Sequence, residues 1–196
     1  MKRIVRDPVQ RQQEIMDAAQ KLFEKNGYEN TSVEQIIREL NISKGAFYHY
    51  FESKKDILIL LVERFAGEME GIFKHIVEAE NLNAIEKLKL MIRGPEKESK
   101  VVNPLMEIIH KPDNQELQER LNICAVKKLA PLIAQVLEQG NQEKIFKAKT
   151  PLETARFLLA TSQFLLDSDL FDWSPEERVN LLKTLQNMFE LAIGAC

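Results

Sequence analysis

The stretch Thr31–Lys55, TSVEQIIRELNISKGAFYHYFESKK, constrains the fold more than any other part of the chain, because it reads as two short helices joined by a tight turn. Thr31 opens a capping-box pattern, in which its hydroxyl accepts from a backbone N–H three residues on and Glu34 reaches back to the Thr31 N–H. Val33, Ile36, Ile37 and Leu40 recur at i, i+3, i+4 and i+7, the stripe that a helix buries. Asn41 follows, a residue that tolerates the left-handed conformation that stops a helix. Ile42 plugs the corner, and Ser43 caps a second helix, KGAFYHYF, with Lys44 and Gly45 in its first turn.

That second helix divides into two faces. Phe47 and Phe51, four apart, turn towards the first helix, which leaves Lys44, Gly45, Tyr48, His49 and Tyr50 on the other. Burying an aromatic ring contributes about 1 kcal/mol or more, so a face that leaves several rings in water calls for a partner. A DNA major groove has the matching chemistry. Tyr hydroxyls and Lys bond phosphates, a helix N-terminus favours anions, and Gly45 lets the backbone come close. Spacing alone also admits an ordinary helical hairpin whose aromatics are core.

A helix ending FEKNGYENTSVEQI, then ISKGAFYHYFESKKDIL, strongly resembles the DNA-binding region of the tetracycline-repressor (TetR) family of bacterial regulators. The match covers roughly Gln10 to Leu58 and fixes a glycine-tyrosine turn, a threonine before the second helix and the lysine-glycine-aromatic run in one register. Many members have glycine where this chain has Asn41, and Asn accepts the same backbone. The resemblance implies an all-α protein of about nine helices: a three-helix, helix-turn-helix DNA-binding domain over residues 1–53 and a helical ligand-binding and dimerisation domain over residues 54–196. It implies double-stranded DNA as partner, contacted through Thr31, Ser43, Lys44, Gly45, Ala46, Tyr48, His49, Tyr50 and Lys54. In that scheme Thr31 caps the second helix and faces a phosphate, and Lys54 clamps another. No cofactor and no metal is expected. Past Leu58 the resemblance is of architecture only.

The charge distribution agrees with such a reading head. The whole chain carries −3, yet residues 1–55 balance at +2 and the remainder at −5. Two cysteines, Cys124 and Cys196, make no disulfide framework. MKRIVRDPVQRQQ lacks the apolar core of a signal peptide, and no apolar run is long enough for a membrane span, so the expected compartment is the cytoplasm and no membrane partner is expected. His49, His75 and His110 sit in unrelated places, without an HExxH, CxxC, GxSxG or glycine-rich phosphate loop, and enzymatic chemistry has no footing. The alternative to a DNA-binding regulator is a helical adaptor that responds to a protein or peptide partner.

Elsewhere the period is helical throughout. Lys2, Arg3 and Arg6 form a short basic arm before an Asp7-Pro8 helix start. Ile15, Ala18, Ala19, Leu22 and Phe23 line one face of the helix that follows, Gly27 stops it, and Tyr28 is expected to pack. Ser53 to Asp56 opens a further helix whose stripe (Ile57, Leu58, Leu61, Val62, Phe65, Met69, Ile72, Phe73, Ile76) runs over about 25 residues, roughly 35–40 Å, so it projects beyond a small head and links it mechanically to the rest. Helices are predicted for Asn83–Arg93, Lys97–His110, Asn114–Gly140, Pro151–Asp169 and Ser174–Gly194, with a kink or break near Ala130 imposed by Pro131. Trp173 is expected to anchor the loop before the last helix.

The last two helices are apolar over nearly two stripes each, more than one subunit's core requires. The family resemblance implies that they form a four-helix bundle with a second copy, through Leu158, Leu159, Leu165, Leu182, Leu185 and Phe189. It also implies a small-molecule pocket, for which Phe65, Met69, Phe73, Met91, Met106, His110, Cys124 and Phe164 are the candidate lining. Their apolar, aromatic and sulfur-bearing character points to a hydrophobic effector.

Overall fold

The computed structural model of the chain describes residues 7–93, 102–109, 111, 114–165 and 171–194. Among them are nine helices and no strand: α1 (Pro8–Asn26), α2 (Val33–Glu39), α3 (Lys44–Tyr48), α4 (Lys54–Glu78), α5 (Ala84–Arg93), α6 (Val102–Ile109), α7 (Gln115–Gln142), α8 (Pro151–Leu165) and α9 (Pro175–Ile193). The basic arm, His110 and Cys196 lie outside the described residues. Helix starts follow local chemistry. Asp7 accepts from Val9 N–H ahead of Pro8, and Ser53 with Asp56 and Ser174 with Glu177 complete capping boxes.

Two hydrophobic cores organise these helices. The first gathers Ile15, Ala19 and Phe23 of α1, Ile36 of α2, Phe47 and Phe51 around α3, and Ile57, Leu58, Leu61 and Val62 of α4. It continues into Leu105, Ile108 and Ile109 of α6 and Leu117 and Leu121 of α7. The second joins Phe73 of α4, Leu88 and Met91 of α5, and Leu129, Leu132, Val136 and Leu137 of α7, with Phe146 and Ile193. The first core thus holds residues from both sides of residue 53. α4 and α7 each enter both cores, as a 25-residue linking helix should.

Ion pairs follow the α4–α7 seam on its solvent side. Lys55 meets Glu116 at 2.6 Å, Glu63 meets Arg120 at 3.5 Å, and Glu70 meets Lys128 at 2.6 Å. The ascending numbers on both helices show that they run parallel. Hydrogen bonds from Lys128 and then Lys74 hold the Glu70 carboxyl down to about 2. A depressed carboxylate stabilises above its ordinary value and is lost as pH falls through its folded one, so this contact survives mild acid.

Of the kink or break expected near Ala130, the break does not occur. α7 runs unbroken through Pro131, because Ala130 and Ala134 pack closely against Ala155 of α8 while the opposite side packs on α4. Past α7 the connector folds back tightly. Asn141 reads both the N–H and the carbonyl of Ala148, at 2.9 and 2.8 Å, and Lys147 N–H donates to Ile193 O at 2.6 Å. Phe146 lies flat on Gly140, where an added Cβ would stand 1.9 Å from the ring. Trp173 anchors its loop as expected, donating to Leu165 O at 2.9 Å and stacking on Phe171. Gly140→Ala should therefore destabilise the chain by about 1–3 kcal/mol, measured by urea unfolding, since the buried Phe146 ring has no vacant space to enter.

Candidate nucleic-acid interface

The turn between α2 and α3 is closed by two backbone hydrogen bonds. Asn41 takes φ 49, its N–H donates to Arg38 O at 3.1 Å, and Ile42 N–H donates to Ile37 O at 3.1 Å. Those two bonds, with Ile37 and Ile42 both packed on the first core, make the left-handed helix stop expected from the sequence. Ser43 then accepts from Ala46 N–H at 3.1 Å and starts α3.

The cap of α2 is shifted by one residue from the sequence expectation. Ser32, not Thr31, is the cap, paired with Gln35 rather than Glu34. Both pairs fit the capping-box spacing, and burial decides between them. Thr31 is 1% exposed and its hydroxyl donates to Gly27 O at 2.8 Å and lies 3.2 Å from Leu22 O, closing the end of α1. The hydroxyl expected on a phosphate is thus spent inside the head.

α3 is also shorter than the eight-residue run read from the sequence, ending at Tyr48. The chain must leave the helix so that Ser53 can reach the extended conformation of an α4 cap, with the Glu52 and Ser53 N–H groups on the Asp56 carboxylate. Phe47 and Phe51 nonetheless meet as expected, with centroids 6.0 Å apart, and both are buried. Against that floor, Lys44, Gly45, Tyr48 and His49 are exposed, Tyr48 at 50%. Ala46 is half-buried. Tyr50 is too, packed on the first core and edge-on to His49 at 4.9 Å, so it belongs only partly to the outward face.

Lys54 begins α4, and its ammonium is already engaged. It donates to Tyr28 O at 2.8 Å and Glu29 O at 3.4 Å and stands 4.2 Å from the Tyr28 ring centroid. Tyr28 is buried edge-on to Phe23, and burial pushes its hydroxyl pKa up. Lys54, whose ammonium also lies 3.9 Å from the Glu29 carboxylate, therefore fastens the α1–α2 loop to α4. Lys44 meets the Glu34 carboxylate at 3.3 Å across the turn. The Glu34 backbone N–H and then Lys44 hold that carboxyl below the usual range.

Most of the residues expected to line an effector pocket border the two cores. Phe65, Met106 and Cys124 flank the first core, Met69 flanks the second, and Phe73 and Met91 are buried within the second. Phe164 is 55% exposed and edge-on to Phe171, away from both cores. A cleft of about 300 Å³ lies elsewhere, between Phe157 and Leu158 of α8 and Met188 and Ala192 of α9, with Thr150, Glu153 and Thr154 at its rim.

Those two C-terminal helices bury little in a single chain. Ala155 in α8 and Ile193 in α9 are their buried residues, whereas Phe157, Phe164, Val179, Leu182, Met188 and Leu191 are exposed, Leu191 at 81%. Of the side chains expected at a dimer contact, Leu182 is exposed and Leu158, Leu165 and Leu185 are half-buried. Leu159 and Phe189 pack on the second core. Phe157 escaped the sequence reading, although it lies seven residues before Phe164 on one helical face.

Comparison with known proteins follows this geometry. Residues 15–61 match the family model for bacterial regulatory proteins of the tetR family, and residues 98–188 match a tetracyclin repressor-like C-terminal domain. An uncharacterised HTH-type transcriptional regulator of Bacillus subtilis, YuxN, is 47% identical over 51 residues, which is 26% of this chain and 18% of that relative. The next relatives, from Aromatoleum and Staphylococcus aureus, are likewise spanned over only 32% and 38% of their length. The fatty acid metabolism regulator of Bacillus subtilis is 24% identical over 92% of this chain and 93% of its own. In fold, a TetR-family regulator from Pectobacterium atrosepticum superposes with a TM-score of 0.68 at 17% identity, over 96% of this chain and 97% of that one.

Thr31→Val should cost about 1–3 kcal/mol of stability by leaving the end of α1 without its hydroxyl, while Thr31→Ser should retain most of it, both read by urea unfolding. Unchanged stability with weakened DNA binding would instead put the hydroxyl on a phosphate.

Proposed function

Because the chain belongs to the tetracycline-repressor family, whose members are DNA-binding transcriptional regulators and not enzymes, we propose that it works as a homodimeric repressor released from its operator by a small, largely apolar effector. The observation that carries the DNA half is the outward face of α3. Lys44, Gly45, Tyr48 and His49 stand exposed over a buried Phe47–Phe51 floor, so that duplex contacts come from one rigid short helix. In this reading Ser43 and Ala46 set the start of α3, Lys44 and Tyr48 bond phosphates, His49 meets a base edge or phosphate, and Tyr50 supports its neighbour. Lys54 acts mainly by fixing the loop beneath the interface, and Thr31 contributes only to the fold.

The exposed apolar face of α8 and α9 supports the dimer. Six large side chains left in water on two adjacent helices are covered if a second copy packs there, and a two-fold assembly also provides two reading heads for half-sites about 34 Å apart. The proposed compartment is the cytoplasm, where chromosomal DNA is the ligand; among the described residues no helix is long and apolar enough to cross a membrane.

For the effector, the half-buried Phe65, Met69, Met106 and Cys124 beside α4 are the side chains a ligand would displace. The ligand would need to favour one head spacing over the other by a few kcal/mol. The relative matched along nearly the whole chain is named as a fatty acid metabolism regulator, which supports testing long-chain acyl compounds first.

Two measurements test the proposal. Tyr48→Phe should weaken binding to every duplex by a similar factor, read by fluorescence anisotropy on several sequences, and a change confined to one base preference would contradict the phosphate role. Leu182→Glu should convert the protein to monomer in sedimentation velocity and lower duplex affinity together. A variant that remains dimeric would move the interface elsewhere.

A further inference from the structure

We propose that Glu34 is a positioning residue of the DNA interface, whose carboxylate holds the Lys44 ammonium in the free protein and competes with backbone phosphate for it. The inference rests on the DNA-binding reading above and assigns a role to an acidic residue that neither the fold nor that reading requires.

The geometry is specific to the turn. Glu34 lies in the first turn of α2 and Lys44 in the first turn of α3, ten positions apart, and the left-handed Asn41 brings them to 3.3 Å. The neighbouring cation contributes less than Lys44, because Arg38 Nε donates to the Glu34 backbone carbonyl at 3.3 Å and forms no ion pair with its carboxylate among the described residues. Lys44, in turn, has Glu34 as its ion-pair partner among those residues.

The pair is not structural glue. The Lys44 and Glu34 side chains are 67% and 56% exposed, and ion pairs so placed contribute little to folding. Its chemistry is instead that of a substitute ligand. A carboxylate oxygen on an ammonium presents the same charge and acceptor as a phosphate oxygen, on a lysine that opens the groove-facing helix. Duplex binding must exchange one anion for the other. The exchange tempers affinity without altering which bases are read, and a regulator whose grip is tempered needs less coupling energy from an effector to let go.

A double-mutant cycle tests this, with a random-sequence duplex as probe and anisotropy as readout. Glu34→Gln should tighten binding about three- to fivefold at low salt, the scale of an exposed ion pair, with the gain shrinking as salt rises. In a Lys44→Gln background the same change should alter affinity by less than about twofold, because the competition has lost its object. Both side chains are mostly in water, so thermal melting should be unchanged in all three variants.

Equal tightening in both backgrounds would reduce Glu34 to general repulsion of DNA and overturn the proposal, as would no tightening at all. Failure of the unaltered protein to bind any duplex would instead overturn the DNA-binding reading itself, so the two failures are distinguishable.

Discussion

The packing of α4 against α7 is the contact on which everything else depends. Both helices pass through both cores and, among the described residues, pack on each other from the reading head to the far end of α4. Their apolar sides supply Ile57 to Val62 and Leu117 to Leu121 at one end and Phe73 and Leu129 to Leu137 at the other. The ion pairs from Lys55–Glu116 to Glu70–Lys128 only line the solvent edge. Exposed pairs of this kind add little energy singly, so the seam is held by apolar area and its register is marked by charge.

Within the head, buried and exposed polar groups divide their work. Thr31 and Lys54 use their donors on the carbonyls of Leu22, Gly27, Tyr28 and Glu29 and so fix the α1–α2 loop. Lys44, Tyr48 and His49 make no such commitment to the backbone and stay on the surface. A residue's type does not decide between these roles. Two lysines ten apart are assigned to opposite duties by whether a carbonyl lies within reach.

Those assignments explain what was legible in the sequence. Helix period, caps and stops are local, so most of the helices are legible, as is the left-handed Asn41, while the predicted start at Lys97 and end at Asp169 lie outside the described residues. The first core was visible in its stripes. What eluded the reading depended on contacts distant in the chain. Thr31-x-x-Glu34 and Ser32-x-x-Gln35 satisfy the same capping pattern, and only the carbonyls of α1 select the second. Pro131 predicts a kink or a break, and the packing of Ala130 and Ala134 on Ala155 of α8 accompanies the helix that continues through it. Phe164 reads as pocket lining by its chemistry, whereas its position at the end of α8 leaves it facing outward beside Phe171. The effector side was least legible, because a cavity is a property of several helices together and no single stripe records it.

The first core has a further consequence. It takes Leu105, Ile108 and Ile109 from α6 and Leu117 and Leu121 from α7, residues that follow the helix-turn-helix by fifty positions or more. The head therefore shares its interior with α6 and α7. Excised after α3 or early in α4, it would be without Leu105, Ile108, Ile109, Leu117 and Leu121, which complete its core. Regrafting the few outward side chains of α3 would leave that shared interior untouched, whereas exchanging the whole head would replace one side of it.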